Sequence, residues 1–253
     1  MINFIAMFFQ LWRKSNIKIF KQVYNGNNKN CLVNDLNKNT NYEFKICAVY
    51  NNSRGSWSQI QKFKTLDIDS VILNESKKGE EFIQIILEWS GYKNMELIYR
   101  GTRDGSSAKD FHNKCDDKGP TITLFKNDKG NIFGGYAPIS WKNSGGWQST
   151  PDSFIFTLTN IYNIKPTKFK RNDDNNGIYF GVNSAAWFGY GANIGFGSDF
   201  LTGSVCYFSQ YGGYQDSLGK GKTIFIGDQT NNNKMSIKEV EVFKLFKWKS
   251  LIT

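Results

Sequence analysis

Apolar residues in this chain fall in short runs, in places alternating with polar ones, broken by clusters of Asn and Gly. Residues 42–50 (YEFKICAVY) show the pattern best, with Tyr42, Phe44, Ile46 and Ala48 on one side and Glu43 and Lys45 on the other. A period of two over such a run predicts a strand with one buried face. Residues 8–13, 19–24, 31–36 and 59–65 read as further strands, with Asn25-Gly26-Asn27-Asn28 as a turn. The pattern lapses over residues 67–79 after Val71-Ile72-Leu73, and that polar stretch reads as a linker. Helical spacing takes over at residues 80–89, placing Phe82, Ile85, Ile86 and Trp89 on one side and acidic residues in the first turn.

Beyond this helix short apolar runs separated by Gly and Asn clusters return. Residues 97–100 predict a strand. A short helix opens at Ser107, an N-cap, with Asp110 in the capping-box place where Glu or Gln is usual. Ala108, Phe111, His112 and Cys115 share one face of it, and Gly119-Pro120 ends the element. Residues 121–125 and 132–136 flank the turn Asn127-Asp128-Lys129-Gly130 as a hairpin. Strands are also expected at 153–158, 168–170, 178–182, 192–197, 205–207, 225–226 and 238–246. The sum is a mainly β (α+β) chain whose larger part is a two-sheet sandwich with short flanking helices.

Composition narrows the function classes. A chain of 253 residues suits two domains and buries a core without covalent staples. Hydrophobic residues at 40% and charged residues at 21% exclude a disordered chain, and 16% aromatics favour sheet. No run approaches the ~20 apolar residues of a membrane-spanning helix. Residues 1–9 are apolar but lack the basic start and small-residue cleavage site of a signal peptide, so they read as a strand. The net charge of +10 admits nucleic acid, an anionic membrane or an acidic protein as partner. Its basic residues are scattered outside two clusters, at 165–171 and 244–249, which argues for solubility and against nucleic acid. Cys31, Cys47, Cys115 and Cys206 form no C-x-x-C pair and match no zinc spacing. Reduced thiols, and hence a cytoplasmic location, are expected.

Two family resemblances follow from particular residues. Leu36-Asn37-Lys38-Asn39-Thr40-Asn41-Tyr42-Glu43-Phe44, with Ala48-Val49-Tyr50-Asn51 and Ser56-Trp57-Ser58, resembles the second half of a fibronectin type III domain. The resemblance implies that Tyr42 is the tyrosine of an inter-strand corner. Such a sandwich takes about 100 residues and seven strands. Residues 1–66 are therefore expected to be a partial domain whose first strands are missing, through truncation or because a neighbouring segment supplies the edge. On this alignment Cys31 and Cys47 point to opposite faces, against a bridge.

The second resemblance covers residues 80–249. Leu97-Ile98-Tyr99-Arg100-Gly101-Thr102-Arg103-Asp104-Gly105-Ser106-Ser107 and Phe111-His112-Asn113-Lys114-Cys115-Asp116-Asp117-Lys118-Gly119-Pro120-Thr121 resemble the opening of a TLDc domain. Phe133-Gly134-Gly135-Tyr136, Asp152-Ser153-Phe154-Ile155-Phe156 and Ile237-Lys238-Glu239-Val240-Glu241-Val242-Phe243 extend it. Phe243 stands where the family more often has Trp, and the Gly/Tyr-rich run 207–221 is longer than a compact turn. The resemblance implies a β-sandwich without a catalytic centre or cofactor. It also implies a role in resistance to oxidative damage or in regulating assembly of the vacuolar proton ATPase, at the surface of endomembranes. Arg100, Asp104, Gly105, Phe111, His112, Cys115, Gly119, Pro120, Gly134, Gly135, Tyr136, Phe154, Phe156 and Glu241 are its motif residues, expected to be mostly structural.

The remaining chemistry is sparse. His112 is the only histidine, which excludes His pairs and His-rich metal sites. A dyad of His112 with Cys115 is the one nucleophilic arrangement available, and a packing role for both is the alternative. Gly219-Lys220-Gly221-Lys222-Thr223 lacks the first glycine of a phosphate loop, Asp216 standing there, and is followed by a predicted strand. Residues 189–195 have one residue too many for a dinucleotide fingerprint. Residues 172–177 resemble half a calcium loop, with Asn183 where a bidentate Glu is required. Glu241, between Val240 and Val242, reads as the polar face of an edge strand, or as an acid–base group without a partner. Phe243, Phe246 and Trp248 alternate with Lys244, Lys247 and Lys249, as a terminal strand does without any ligand. A thiol- or carboxylate-dependent enzyme and a basic nucleic-acid binder are thus the rival readings.

Overall fold

A computed structural model describes residues 3–11, 20–25, 41–50, 53–64, 68–172, 177–189, 193–209, 213–227 and 233–247. The chain divides into two compact units, Met1–Asp67 and Ile68–Thr253.

The first unit is one antiparallel sheet of β1 (Asn3–Leu11), β2 (Phe20–Asn25), β3 (Asn41–Tyr50), β4 (Ser53–Trp57) and β5 (Gln61–Lys64). Its order is β2-β1-β3-β4, and β5 also pairs with β3. The strand predicted at 31–36 lies outside the described residues. The expectation of one polar face on β3 needs correcting. Tyr42 is buried as predicted, but Glu43 and Cys47 are buried too. Lys62 reaches over Glu43 at 3.3 Å, so a long flexible side chain covers the carboxylate instead of water.

The second unit opens with α1 (Val71–Asn74) and α2 (Gly79–Ser90), followed by β6 (Asn94–Arg100), α3 (Gly101–Asp104) and α4 (Ala108–Cys115). Then come β7 (Thr121–Asn127), β8 (Ile132–Ala137), β9 (Gly146–Gln148), β10 (Phe154–Thr159) and β11 (Thr167–Lys170). The chain continues through β12 (Ile178–Gly181), β13 (Ser184–Phe188), β14 (Gly195–Phe196), α5 (Phe200–Gly203), β15 (Ser204–Val205), α6 (Thr223–Ile226) and β16 (Ile237–Phe246). A six-stranded sheet runs β11-β10-β8-β7-β16-β6; a second sheet runs β13-β12-β9. The last strand of the chain thus inserts between β7 and β6. Glu241 is not on an edge strand, contrary to the sequence reading; β6 is the edge.

The two sheets meet at Gly135. A Cβ there would stand 2.6 Å from the Phe188 ring of β13, so only hydrogen lets the layers close. The inner core holds Phe111, Phe125, Phe133, Trp141, Ile155, Phe196 and Phe225, many in edge-on ring contacts. Alternation turns Gly134, Tyr136, Phe154 and Phe156 to the outer face, where Trp89 of α2 packs 5.8 Å from Phe156.

The helical segment covering that face corrects a second expectation. Residues 68–79, the described part of the expected linker at 67–79, are not extended: Ile68, Ile72 and Leu73 are buried, and α1 lies in the second unit. A four-residue helix has too few turns for a period to show in sequence. In α2 the buried face is Phe82, Ile83, Ile86 and Leu87, with Ile85 and Trp89 half-buried, so the predicted face is rotated. The α4 prediction matches: Ser107 and Asp110 form the reciprocal capping box, and Ala108, Phe111, His112 and Cys115 are buried. Residues 223–226 form α6 instead of the predicted strand, and β9, β13 and the short strand β4 went unpredicted.

Gly134 is the tightest point of the main sheet: a Cβ would lie 2.0 Å from the Thr123 carbonyl oxygen and 2.8 Å from the Phe156 ring. Gly134→Ala is expected to lower stability by about 1–3 kcal/mol, as overpacking does. Thermal denaturation followed by near-UV circular dichroism checks this, and an unchanged melting curve would contradict the packing described.

Candidate functional site

The motif residues gather into three groups. The first is built on β16. Glu241 is fully buried and pairs in register with Arg100 of β6 and Leu124 of β7. Its carboxylate accepts from the Ser70 hydroxyl at 2.5 Å, the Val71 N–H at 2.9 Å and Arg100 Nε at 2.9 Å. Ser70 Oγ in turn accepts from the Leu73 N–H, capping α1. Arg100 also reaches Asp69 at 2.7 Å. One carboxylate therefore fixes α1 and β6 to the central strand. Burial pushes the Glu241 carboxyl up, while the Ser70, Val71 and Arg100 donors pull it back down.

Glu239, two residues earlier and also buried, accepts from the Thr102 N–H at 3.1 Å and from the Thr102 hydroxyl. It holds the start of α3. Asp104, at the other end of α3, accepts from the Arg100 N–H at 2.9 Å and pairs with Arg103 at 2.7 Å. The Arg103 hydrogen bond holds its carboxyl at about 2, against the opposing effect of burial. A folded value below the unfolded one means that Asp104 stabilises the fold above ~3.9, a contribution lost as pH falls through the folded value. Gly105, at φ 114, leaves no room for a side chain against the Asp110 carboxylate. Its carbonyl accepts from the Tyr99 hydroxyl at 2.7 Å.

The second group is the buried face of α4. His112 Nδ1 lies 2.8 Å from Asp116 Oδ1, and Nε2 lies 3.0 Å from both the Gly181 and Ser184 carbonyl oxygens. Both ring nitrogens are therefore engaged with oxygens, and neither serves Cys115. The Cys115 thiol is wholly buried, and burial pushes it well up; burial also pushes Cys206 up to about 12. Gly119 sits against the Ile139 backbone, where a Cβ would meet the carbonyl oxygen at 2.6 Å, and Pro120 follows it into β7. The third group is Tyr136, Phe154 and Phe156 beneath Trp89, with Tyr136 and Phe154 centroids 4.9 Å apart.

Residues that sequence reasoning missed complete these groups: Ser70, Asp69, Thr102 and Glu239. Only Ser70 had a local signal, a capping residue directly before an apolar triplet. In the described parts of the Gly/Tyr-rich run, Phe208 and Tyr214 pack inward while Tyr207 is exposed. Tyr214 is buried, its hydroxyl donating to the Gly177 carbonyl at 3.0 Å and lying 2.9 Å from Ser153 Oγ. Residues 173–176 of the calcium-loop reading and 190–192 of the dinucleotide reading lie outside the described residues. Among the described residues no group of three or more His, Cys, Asp or Glu is arranged to hold a metal ion. Among them, no helix is long and apolar enough to cross a membrane.

Fold and site together define a β-sandwich module in which Glu239, Glu241 and His112 are engaged by its own backbone, strands and helices. The chain belongs to the TLDc domain family, whose model matches residues 66–246. It is also similar to the MTOR-associated protein MEAK7 of Danio rerio, at 31% identity over 62 residues. That stretch is 24% of this chain and only 14% of the zebrafish protein.

Two outcomes are expected. Glu241→Ala leaves the Ser70 hydroxyl and the Val71 N–H unpaired and Arg100 with Asp69 alone, and costs about 3–5 kcal/mol, with hydrogen exchange at Val71 rising ahead of the rest. Uniform loss of protection would argue against the clamp. Cys115 and Cys206 stay unlabelled by iodoacetamide in the native protein and react only on unfolding. Rapid native labelling of Cys115 would revive the thiol-enzyme reading.

Proposed function

We propose that this chain is a non-catalytic protein-interaction module of the TLDc type that docks on a larger assembly in the cytoplasm or at an endomembrane surface. The observation that carries the reading is the family match over residues 66–246. The engagement of Glu241, Glu239, His112 and Cys115 in internal contacts supports it, because it leaves the rival enzyme without a free nucleophile–base pair. The vacuolar proton ATPase is the assembly proposed, on the family resemblance, with oxidative-stress resistance as the wider role. The name of the zebrafish relative adds mTOR as a partner to look for.

The first unit is proposed as a partial fibronectin type III domain serving as spacer or second contact. The strand order β2-β1-β3-β4 and the buried Tyr42 at the start of β3 support that assignment. Two weak contacts on one chain gain from effective concentration.

The test is recovery of partners on the full chain from native lysate at moderate salt, with and without ATP, read by mass spectrometry. Stoichiometric recovery of peripheral proton-pump subunits is the expected result. Recovery of no pump subunit above background would overturn the pump assignment.

A further inference from the structure

The two basic clusters that stood out in the sequence lie far apart along the chain, yet the fold brings them to one place. Lys168, Lys170 and Arg171, from β11 and just beyond it, and Lys247, just past β16, line a single cleft of about 650 Å³. It opens between the C-terminal end of α2 and the outer face of β8 and β10. Asp152 is the one carboxylate in its lining, against these four cations.

Among the described residues this excess is not neutralised by ion pairs. All three guanidinium nitrogens of Arg171 are buried and have no hydrogen-bond partner among the described residues. Such a group costs free energy unless an acceptor reaches it. Lys168 lies half-buried over the Phe154 ring at 5.0 Å. Burial and the neighbouring Lys170 both disfavour its charge, with Glu88 a weaker opposing influence. None of these four cations forms an ion pair among the described residues.

We propose that this cleft is the protein-docking surface of the module and that its occupant is an acidic, extended segment of a partner protein. Lys168 and Lys170 stand at i and i+2 on one face of β11, with Phe169 turned into the core between them. Two residues along a strand span about 7 Å. That is the spacing of carboxylates at alternate positions of an extended chain. Half-buried Trp89, beside the buried Tyr136 and Phe154 rings, supplies apolar surface for a side chain between.

The geometry disfavours the other anionic partners. The cations line a concavity, which a flat lipid surface cannot enter. The aromatic rings pack on one another and under Lys168, leaving no open pair of faces to sandwich a base. The inference rests on the interaction-module reading and is independent of which assembly is bound.

The test uses the full chain and a fluorescein-labelled peptide in which Glu alternates with Thr, read by fluorescence anisotropy at low and moderate salt. Lys168→Glu with Lys170→Glu is expected to weaken binding at least about tenfold, a loss on the scale of a close interfacial charge pair. Lys118→Glu with Lys142→Glu makes the same change in net charge outside the cleft and is expected to leave affinity within about twofold. Melting curves report whether each variant folds, and Lys170→Glu with Lys247→Glu repeats the test should the first pair not fold. Equal weakening by both charge reversals, or no binding by the parent chain, overturns the proposal. So does binding to phosphatidylserine vesicles that the cleft reversal abolishes while the peptide stays unbound. Peptide binding without recovery of pump subunits upholds the cleft and rejects the pump; pump recovery with an inert cleft does the reverse.

Discussion

The buried carboxylate of Glu241 is the constraint around which the larger unit is arranged. An ionised group out of water is tolerated only when donors surround it. Here three donors come from two separate stretches: Ser70 and Val71 from the N-terminal helical segment, and Arg100 from the edge strand. Meeting that demand places β16 between β7 and β6, seats α1 over the outer face and orients Arg100 toward Asp69. Replacing the network by apolar groups would fill the same space without selecting which segment lies where. The charge therefore gives the module a defined closure, while the aromatic core supplies most of its cohesion.

The same economy accounts for the residues that looked most chemical in the sequence. A lone histidine near a cysteine on one helix face is an arrangement that enzymes use, yet here the ring bridges Asp116 to two carbonyl oxygens of the β12–β13 hairpin. The thiol beside it is an apolar filler. Glu239 and Glu241 form a carboxylate pair on one strand, but each is occupied by backbone N–H groups of a neighbouring short helix. What remains unspent is positive charge on the rim, and that is where the larger unit has free energy to offer a partner.

The strands at 121–125 and 132–136 were legible because the Asn127-Asp128-Lys129-Gly130 turn between them marks a hairpin. The α4 helix was legible because its cap and its buried face agree. The reading failed where the decisive partner is remote. Residues 67–79 look polar because the acceptor of their backbone and hydroxyl groups lies about 170 positions away at Glu241. Residues 223–226 look like a strand because Ile and Phe favour one; the fold instead turns them into a single helical turn whose carbonyls accept from Asn127 and Asn131.

The sequence by itself determined a mainly β chain, two stretches of different character, the family of the second and the poverty of catalytic groups. Those features follow from local period, composition and ordered motifs, all of which are written along the chain. Only the tertiary structure decided that Glu241 is central instead of peripheral, that the apparent linker is a clamp and that two basic clusters share one cleft. Those are facts of proximity between distant segments, and proximity is set by which buried groups must find partners on other elements.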